Sequence, residues 1–195
     1  RRSSDLEFEK GNSYGFVGPN GCGKSVFFKT LCGYSLLTEG HVIYRGKIIG
    51  KEQDFIDDAG IVIEEPEFIN SLSGLENLKI LAEIQKKISE VEIIEVLKQF
   101  DLYEDRNKKV GKYSVGMKQK LRLAQAVMEK PQVLILDEPM NGLDKKSVKK
   151  VEDILKAFVE NGGTLLMTSH IEQQVEACCK IVYEIDGGEI LRVTD

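Results

Sequence analysis

The sequence predicts an α/β protein in which helices cover a mainly parallel sheet, with a helical insertion and a smaller, partly antiparallel β portion. Three observations carry that expectation. Short all-apolar runs alternate with helix-period segments toward both ends of the chain, as strands buried on both faces do. A glycine cluster stands between the first apolar run and the first helical pattern. The middle of the chain shows successive helix starts instead.

Composition sets the outer bounds. At 195 residues the chain fits one domain. With 42% hydrophobic and 30% charged residues it is an ordinary globular composition. A formal net charge of −5 argues against a general nucleic-acid binder, so no nucleic-acid partner is expected. No apolar run approaches the roughly 18 residues of a membrane span. The start, Arg1-Arg2-Ser3-Ser4-Asp5-Leu6-Glu7, lacks the apolar core of a signal peptide. Cys22, Cys32, Cys178 and Cys179 have no metal-type spacing and fit free thiols in a reducing cytoplasm. With two histidines, His41 and His170, a His-rich metal site is not expected.

Each element has its own signal. Residues 14–17 form an apolar run entering the glycine cluster, and 24–32 follow with helical spacing. Residues 41–49 read as a hairpin bent at polar Arg45-Gly46-Lys47, and 60–63 as a buried strand. Ser73-Gly74-Leu75-Glu76 and Ser89-Glu90-Val91-Glu92 match the S-x-x-E capping box, each opening a helix. A third helix spans about 115–129, stopped by Pro131. Beyond it come a strand at 133–136, a helix at 145–160, a strand at 164–168 and a helix at 171–177. Two strands, 181–185 and 189–193, flank the turn Asp186-Gly187-Gly188. The expected division is one domain over 1–195, with its core in 1–65 and 131–195 and a helical subdomain at about 66–130.

The chemistry sits on three segments. Gly18-Pro19-Asn20-Gly21-Cys22-Gly23-Lys24-Ser25 matches G-x-x-x-x-G-K-[ST] between a predicted strand and helix, the context of a phosphate-loop NTPase. Glycines let the backbone curl so that N–H groups surround phosphate oxygens, and the helix dipole adds positive potential. Lys24 would reach the β- and γ-phosphates of ATP, and Ser25 would hold Mg²⁺. Val133-Leu134-Ile135-Leu136-Asp137-Glu138 drives a strand into the core and delivers two carboxylates at its C-terminal end, where ligands of parallel sheets bind. Asp137 would orient the metal, and Glu138 would polarise the attacking water. His170 follows the 164–168 strand, which should lie beside the two motif strands and aim its end at the same phosphate. Cys22 reads as a small tolerated residue of the loop.

These segments, in this order, resemble the ATP-binding subunits of ABC transporters. The likeness adds a glutamine-loop position at Glu64, a signature at Tyr113-Ser114-Val115-Gly116-Met117, and a D-loop at Asn141-Gly142-Leu143-Asp144. It implies an ATP-dependent homo- or heterodimer in which Ser114 and Gly116 bind ATP held by the other chain. It also implies membrane-spanning partner subunits, placing the protein in the cytoplasm on the inner face of the membrane. Departures stand out. Glu64, followed by Glu65 and Pro66, replaces the glutamine and would still ligate Mg²⁺ as a carboxylate. Val115 and Met117 replace glycine and glutamine, and Val26 replaces a common threonine, leaving a backbone donor for the α-phosphate. Such choices, with Glu-Glu-Pro, Gly-Leu-Glu-Asn-Leu and Tyr-Ser-Val-Gly-Met-Lys-Gln, look like the branch associated with bacitracin- and lantibiotic-type export or self-protection, which implies an ATP-hydrolysing subunit of an exporter of a peptide antibiotic or other drug-like compound. The family's first strand and adenine-stacking aromatic have no counterpart upstream of Lys10-Gly11, so an N-terminally truncated piece is expected. Two rivals remain: a soluble ABC ATPase of translation or chromosome maintenance, and a small-molecule kinase. The translation type normally has two cassettes and the chromosome type long coiled coils, while the signature and D-loop count against a kinase.

Overall fold

In the computed structural model, which describes residues 5–64 and 67–193, the first apolar run becomes strand β1 (Ser13–Val17). Helix α1 (Lys24–Cys32), the short strands β2 (Ile43–Tyr44) and β3 (Lys47–Ile48), and strand β4 (Ala59–Val62) follow. Helices α2 (Gly74–Gln85), α3 (Glu90–Gln99) and α4 (Val115–Met128) occupy the middle. The alternation then resumes with β5 (Val133–Leu136), α5 (Lys145–Glu160), β6 (Thr164–Ser169) and α6 (Glu172–Cys178). Strands β7 (Ile181–Asp186) and β8 (Glu189–Arg192) close the described chain. Strand β4 begins one residue before the apolar run because its register pairs Ala59 with Val133 and Val62 with Leu136.

The main sheet has six strands in the order β4-β5-β6-β1-β7-β8. All neighbours are parallel except β7 and β8, and β2 with β3 forms a separate antiparallel ribbon. The expected mixture of a mainly parallel sheet and a partial antiparallel portion is therefore what the chain adopts. Every residue of β6 is buried, which is why this strand reads as an unbroken apolar run ending in hydroxyls.

Period-two alternation divides the core. Leu134, Leu136, Leu165 and Met167 point to one face, where they join Leu78, Leu97 and Leu121 of α2–α4 and Val151 and Leu155 of α5. Ile135 and Leu166 point to the other face, among Tyr14, Phe16, Tyr183, and Phe28 and Cys32 of α1. The helical insertion thus shares its apolar cluster with the sheet. The four cysteines are free, and burial pushes the Cys32 and Cys178 thiols up to about 12, which keeps them protonated and inert.

Both capping boxes form. Ser73 Oγ accepts from Glu76 N–H at 3.2 Å while the Glu76 carboxylate accepts from Ser73 N–H at 2.7 Å. Ser89 and Glu92 repeat the exchange on α3. Lys130, and then the Ser89 N–H, lower the Glu92 carboxyl to about 2. A lowered carboxylate contributes its full share above the ordinary carboxylate range and loses it as pH falls through that range toward about 2. Ser73 is buried, so Ser73→Ala is expected to lower stability by about 1 kcal/mol in a urea titration. An unchanged midpoint would show that the cap adds nothing.

Candidate nucleotide site

The site forms where the C-terminal ends of three strands meet. Strand β6 lies between β5 and β1, so the loops leaving β1, β5 and β6 emerge side by side. That adjacency is the one expected for the histidine strand.

The loop after β1 is shaped by glycine at two decisive points. A Cβ on Gly18 would lie 2.3 Å from the Ile185 carbonyl, so nothing larger fits. Gly23 ends the loop at φ 109° and caps α1 with no side-chain hydrogen bond. The first N–H groups of α1 therefore face a ligand rather than a protein cap. Lys24 is 6% exposed and its Nζ donates to the carbonyls of Gly18 at 2.8 Å and Pro19 at 3.1 Å. These bonds fold the loop around the lysine. Asn20, Gly21, Gly23, Ser25 and Val26 face a cavity of about 210 Å³, with Asp137 and Glu138 on its far side. The Val26 side chain is exposed, and Cys22 is half-buried against the sheet residues behind the loop.

The β5 end supplies the carboxylates. Ser25 Oγ donates to Asp137 Oδ2 at 2.5 Å, and Thr168 Oγ1 donates to Asp137 Oδ1 at 2.6 Å. Glu138 stands at φ 49°, a left-handed conformation that is uncommon for a residue other than glycine. Its N–H donates to Thr168 Oγ1 at 2.9 Å, and Gln119 Nε2 donates to the next carbonyl, that of Pro139, at 2.9 Å. His170 Nδ1 lies 2.8 Å from Glu138 Oε2. Glu138 Oε1 is buried without a hydrogen-bond partner among the described residues, 3.7 Å from Lys24 Nζ. A buried carboxylate oxygen of this kind calls for a donor such as water.

The remaining expected residues lie apart from this cavity. Ser114 caps α4, its Oγ accepting from Met117 N–H at 3.2 Å, and neither it nor Gly116 lines the cavity. Gly116 instead abuts the D-loop, where a Cβ would meet the Gly142 carbonyl at 3.1 Å. Asp144 of that loop caps α5. The structure does not bring Glu64 to Ser25 and Asp137, because its exposed carboxylate is engaged by the Lys29 ammonium on α1. Glu65 and Pro66, which follow it, lie outside the described residues, as do Arg1 to Ser4. Sequence reasoning missed Thr168 and Gln119. The hydroxyl pair Thr168-Ser169 ending an otherwise apolar strand was the available signal; Gln119 gave none beyond its place on the signature helix.

The residues present fit a phosphate chain with its cation. An uncapped helix start, a buried ammonium and a serine–aspartate pair surround one cavity that also holds a carboxylate oxygen in need of a donor. The ABC transporter family model matches residues 2–141. The chain belongs to that family. An uncharacterized ABC transporter ATP-binding protein of Bacillus subtilis (strain 168) is 38% identical over 183 residues, covering 94% of this chain and 84% of its own length. The bacitracin transport ATP-binding protein of Enterococcus faecalis is 33% identical, covering 96% of this chain and 61% of its own. The lantibiotic transport ATP-binding protein of Streptococcus pyogenes is also 33% identical, over 96% and 80%. Among solved structures, a dimeric ATP-binding cassette in a post-hydrolysis state with ADP and Pi superposes with a TM-score of 0.85 at 22% identity, covering 97% of this chain and 89% of its own. That likeness extends the ABC fold to nearly the full chain. No helix among the described residues is long and apolar enough to cross a membrane.

Proposed function

We propose that this ABC protein is the Mg²⁺-dependent ATPase subunit of a membrane transporter that exports a peptide antibiotic or other drug-like compound. The observation that carries the hydrolytic part is the unpartnered Glu138 Oε1, buried beside Lys24 and the Ser25–Asp137 pair. A carboxylate so placed can hold the attacking water and accept its proton, while His170 fixes the other oxygen at 2.8 Å. The loop N–H groups of residues 18–26 and the Lys24 ammonium hold the phosphates. Ser25 and Asp137 would hold the Mg²⁺, which when bound would neutralise charge that builds on the phosphoryl oxygens. The transport part rests on the bacitracin and lantibiotic transport relatives and on the family's motif order.

Neither Ser114 nor Gly116 lines the chain's own cavity, which supports their acting on the nucleotide of a second ATP-binding subunit. An exposed helix start with a hydroxyl is well suited to a γ-phosphate. Residues 1–195 are read as one ATPase domain, with 66–130 as its helical subdomain. Docking on membrane-spanning subunits would hold it at the inner membrane face.

Purifying the full-length protein from its own membranes and identifying the co-purifying subunit tests the reading. A polytopic partner together with Mg²⁺-dependent ATPase activity is expected; a ribosome or DNA partner would overturn the transport assignment. Glu64 is assigned to Lys29 rather than to the cation, so Glu64→Gln is expected to leave the Mg²⁺ titration of ATPase activity in place. A clear rise in the Mg²⁺ needed for half-maximal activity would return Glu64 to the metal site.

A further inference from the structure

We propose that Thr168 is a positioning residue that sets the two carboxylates of the site at once, an inference that rests on the ATPase reading above. Its hydroxyl is fully buried at the C-terminal end of β6, between the β5 loop and β1. The single oxygen does two things. It donates to Asp137 Oδ1 at 2.6 Å, which leaves Oδ2 turned to Ser25 at 2.5 Å. It also accepts from the Glu138 N–H at 2.9 Å, pinning a backbone unit that sits at φ 49°.

A threonine buried in a strand needs only one partner to be satisfied, and local backbone carbonyls often provide it. Here both partners are the residues expected to serve cation and water. Donation to one carboxylate oxygen fixes the rotation of the Asp137 carboxylate, so its free oxygen is presented to Ser25 without an entropic cost at binding. Acceptance from the Glu138 N–H offsets the unfavourable left-handed backbone, which directs the Glu138 side chain back toward Lys24 and His170. The register pairs Leu136 with Met167, so the residues after each naturally fall side by side. Threonine here couples a metal ligand to a base, and valine, equal in shape, would couple nothing.

The test uses the complete protein with Thr168→Val, Thr168→Ala and Thr168→Ser. A fluorescent ATP analogue is titrated in EDTA and then across Mg²⁺, alongside ATPase kinetics and thermal unfolding. Thr168→Val is expected to raise the Mg²⁺ needed for half-maximal analogue binding by about 10- to 100-fold, the usual effect of losing a partner behind a metal ligand. Binding in EDTA should stay at the wild-type level, and kcat should stay reduced even at saturating Mg²⁺, because Glu138 is no longer held. Thr168→Ala, which removes the hydroxyl without crowding, should show the same shift, and Thr168→Ser should largely restore the Mg²⁺ response. Variants that only lose thermal stability, with wild-type Mg²⁺ response and kcat, would overturn the proposal. A wild-type protein that shows no Mg²⁺-dependent ATP hydrolysis would overturn the ATPase reading and this inference with it.

Discussion

Glu138→Gln is expected to slow ATP turnover by about 10²- to 10⁴-fold, the usual contribution of a positioned base, while ATP stays bound. Glutamine keeps the shape of the side chain and a polar atom toward His170, which now lies 2.8 Å from Oε2. What it loses is the negative charge at the buried Oε1, and with it the capacity to take a proton from water. The Lys24, Ser25 and Asp137 contacts are untouched, so the phosphates and the cation remain held. Persisting ATP should then keep two subunits together, since Ser114 and Gly116 reach no phosphate in their own chain's cavity. Light scattering of the full-length variant, with and without Mg-ATP, reads this directly, with Ser114→Arg as a control that should stay monomeric. Because an obligate heterodimer would not self-associate, the measurement is repeated with the co-purified ATP-binding partner. A monomer under both regimes would overturn the shared-nucleotide arrangement, and unchanged turnover would remove Glu138 from the base role.

Lys24→Ala is expected to cost at least about 3 kcal/mol of nucleotide binding, roughly a 100-fold loss of affinity, through the missing charge-assisted bonds. The effect has three sources. The γ-phosphate loses its fixed cation, and the Gly18 and Pro19 carbonyls lose the donor that now holds them at 2.8 and 3.1 Å. Freed carbonyls project negative dipoles near the phosphates. The Glu138 carboxylate also loses the ammonium that stands 3.7 Å away, which adds further negative potential. Calorimetry with Mg-ATP is the check. Wild-type affinity in the variant would dismantle the phosphate-loop assignment.

The parts of this site that were legible in the sequence are the ones whose geometry is local. Residues 18–25 carry their own turn chemistry, and Asp137 and Glu138 follow a strand too apolar to be anything else. Helix α5 was readable to the residue because Asp144 caps it and accepts from Ser147 N–H at 2.9 Å. The rest depends on register across the sheet. Thr168 stands 31 positions after Asp137 and looks like a core strand residue until β5 and β6 are paired. Gln119 resembles any polar residue on a helix, yet it is buried and donates to the Pro139 carbonyl. The Glu64–Lys29 pair joins positions 35 apart, and no spacing rule announces it. The left-handed backbone of Glu138 is likewise imposed by tertiary contacts rather than by residue type.

The strand order has a consequence for how the protein comes into being on the ribosome. Strand β1 is made before the two strands that pair with it among the described residues, 165–169 and 181–184. An unpaired strand edge is prone to pair with the wrong chain until its partners emerge. Helices α2 and α3, capped by their own boxes and packed on each other, are made earlier, yet the apolar face they bury is completed only by sheet residues such as Leu134, Leu136, Leu165 and Met167. The helical segment and the sheet therefore complete one core together. A chain made only as far as α4 has Lys24 and Ser25 but not yet the Asp137–Thr168 pair that stands opposite Ser25.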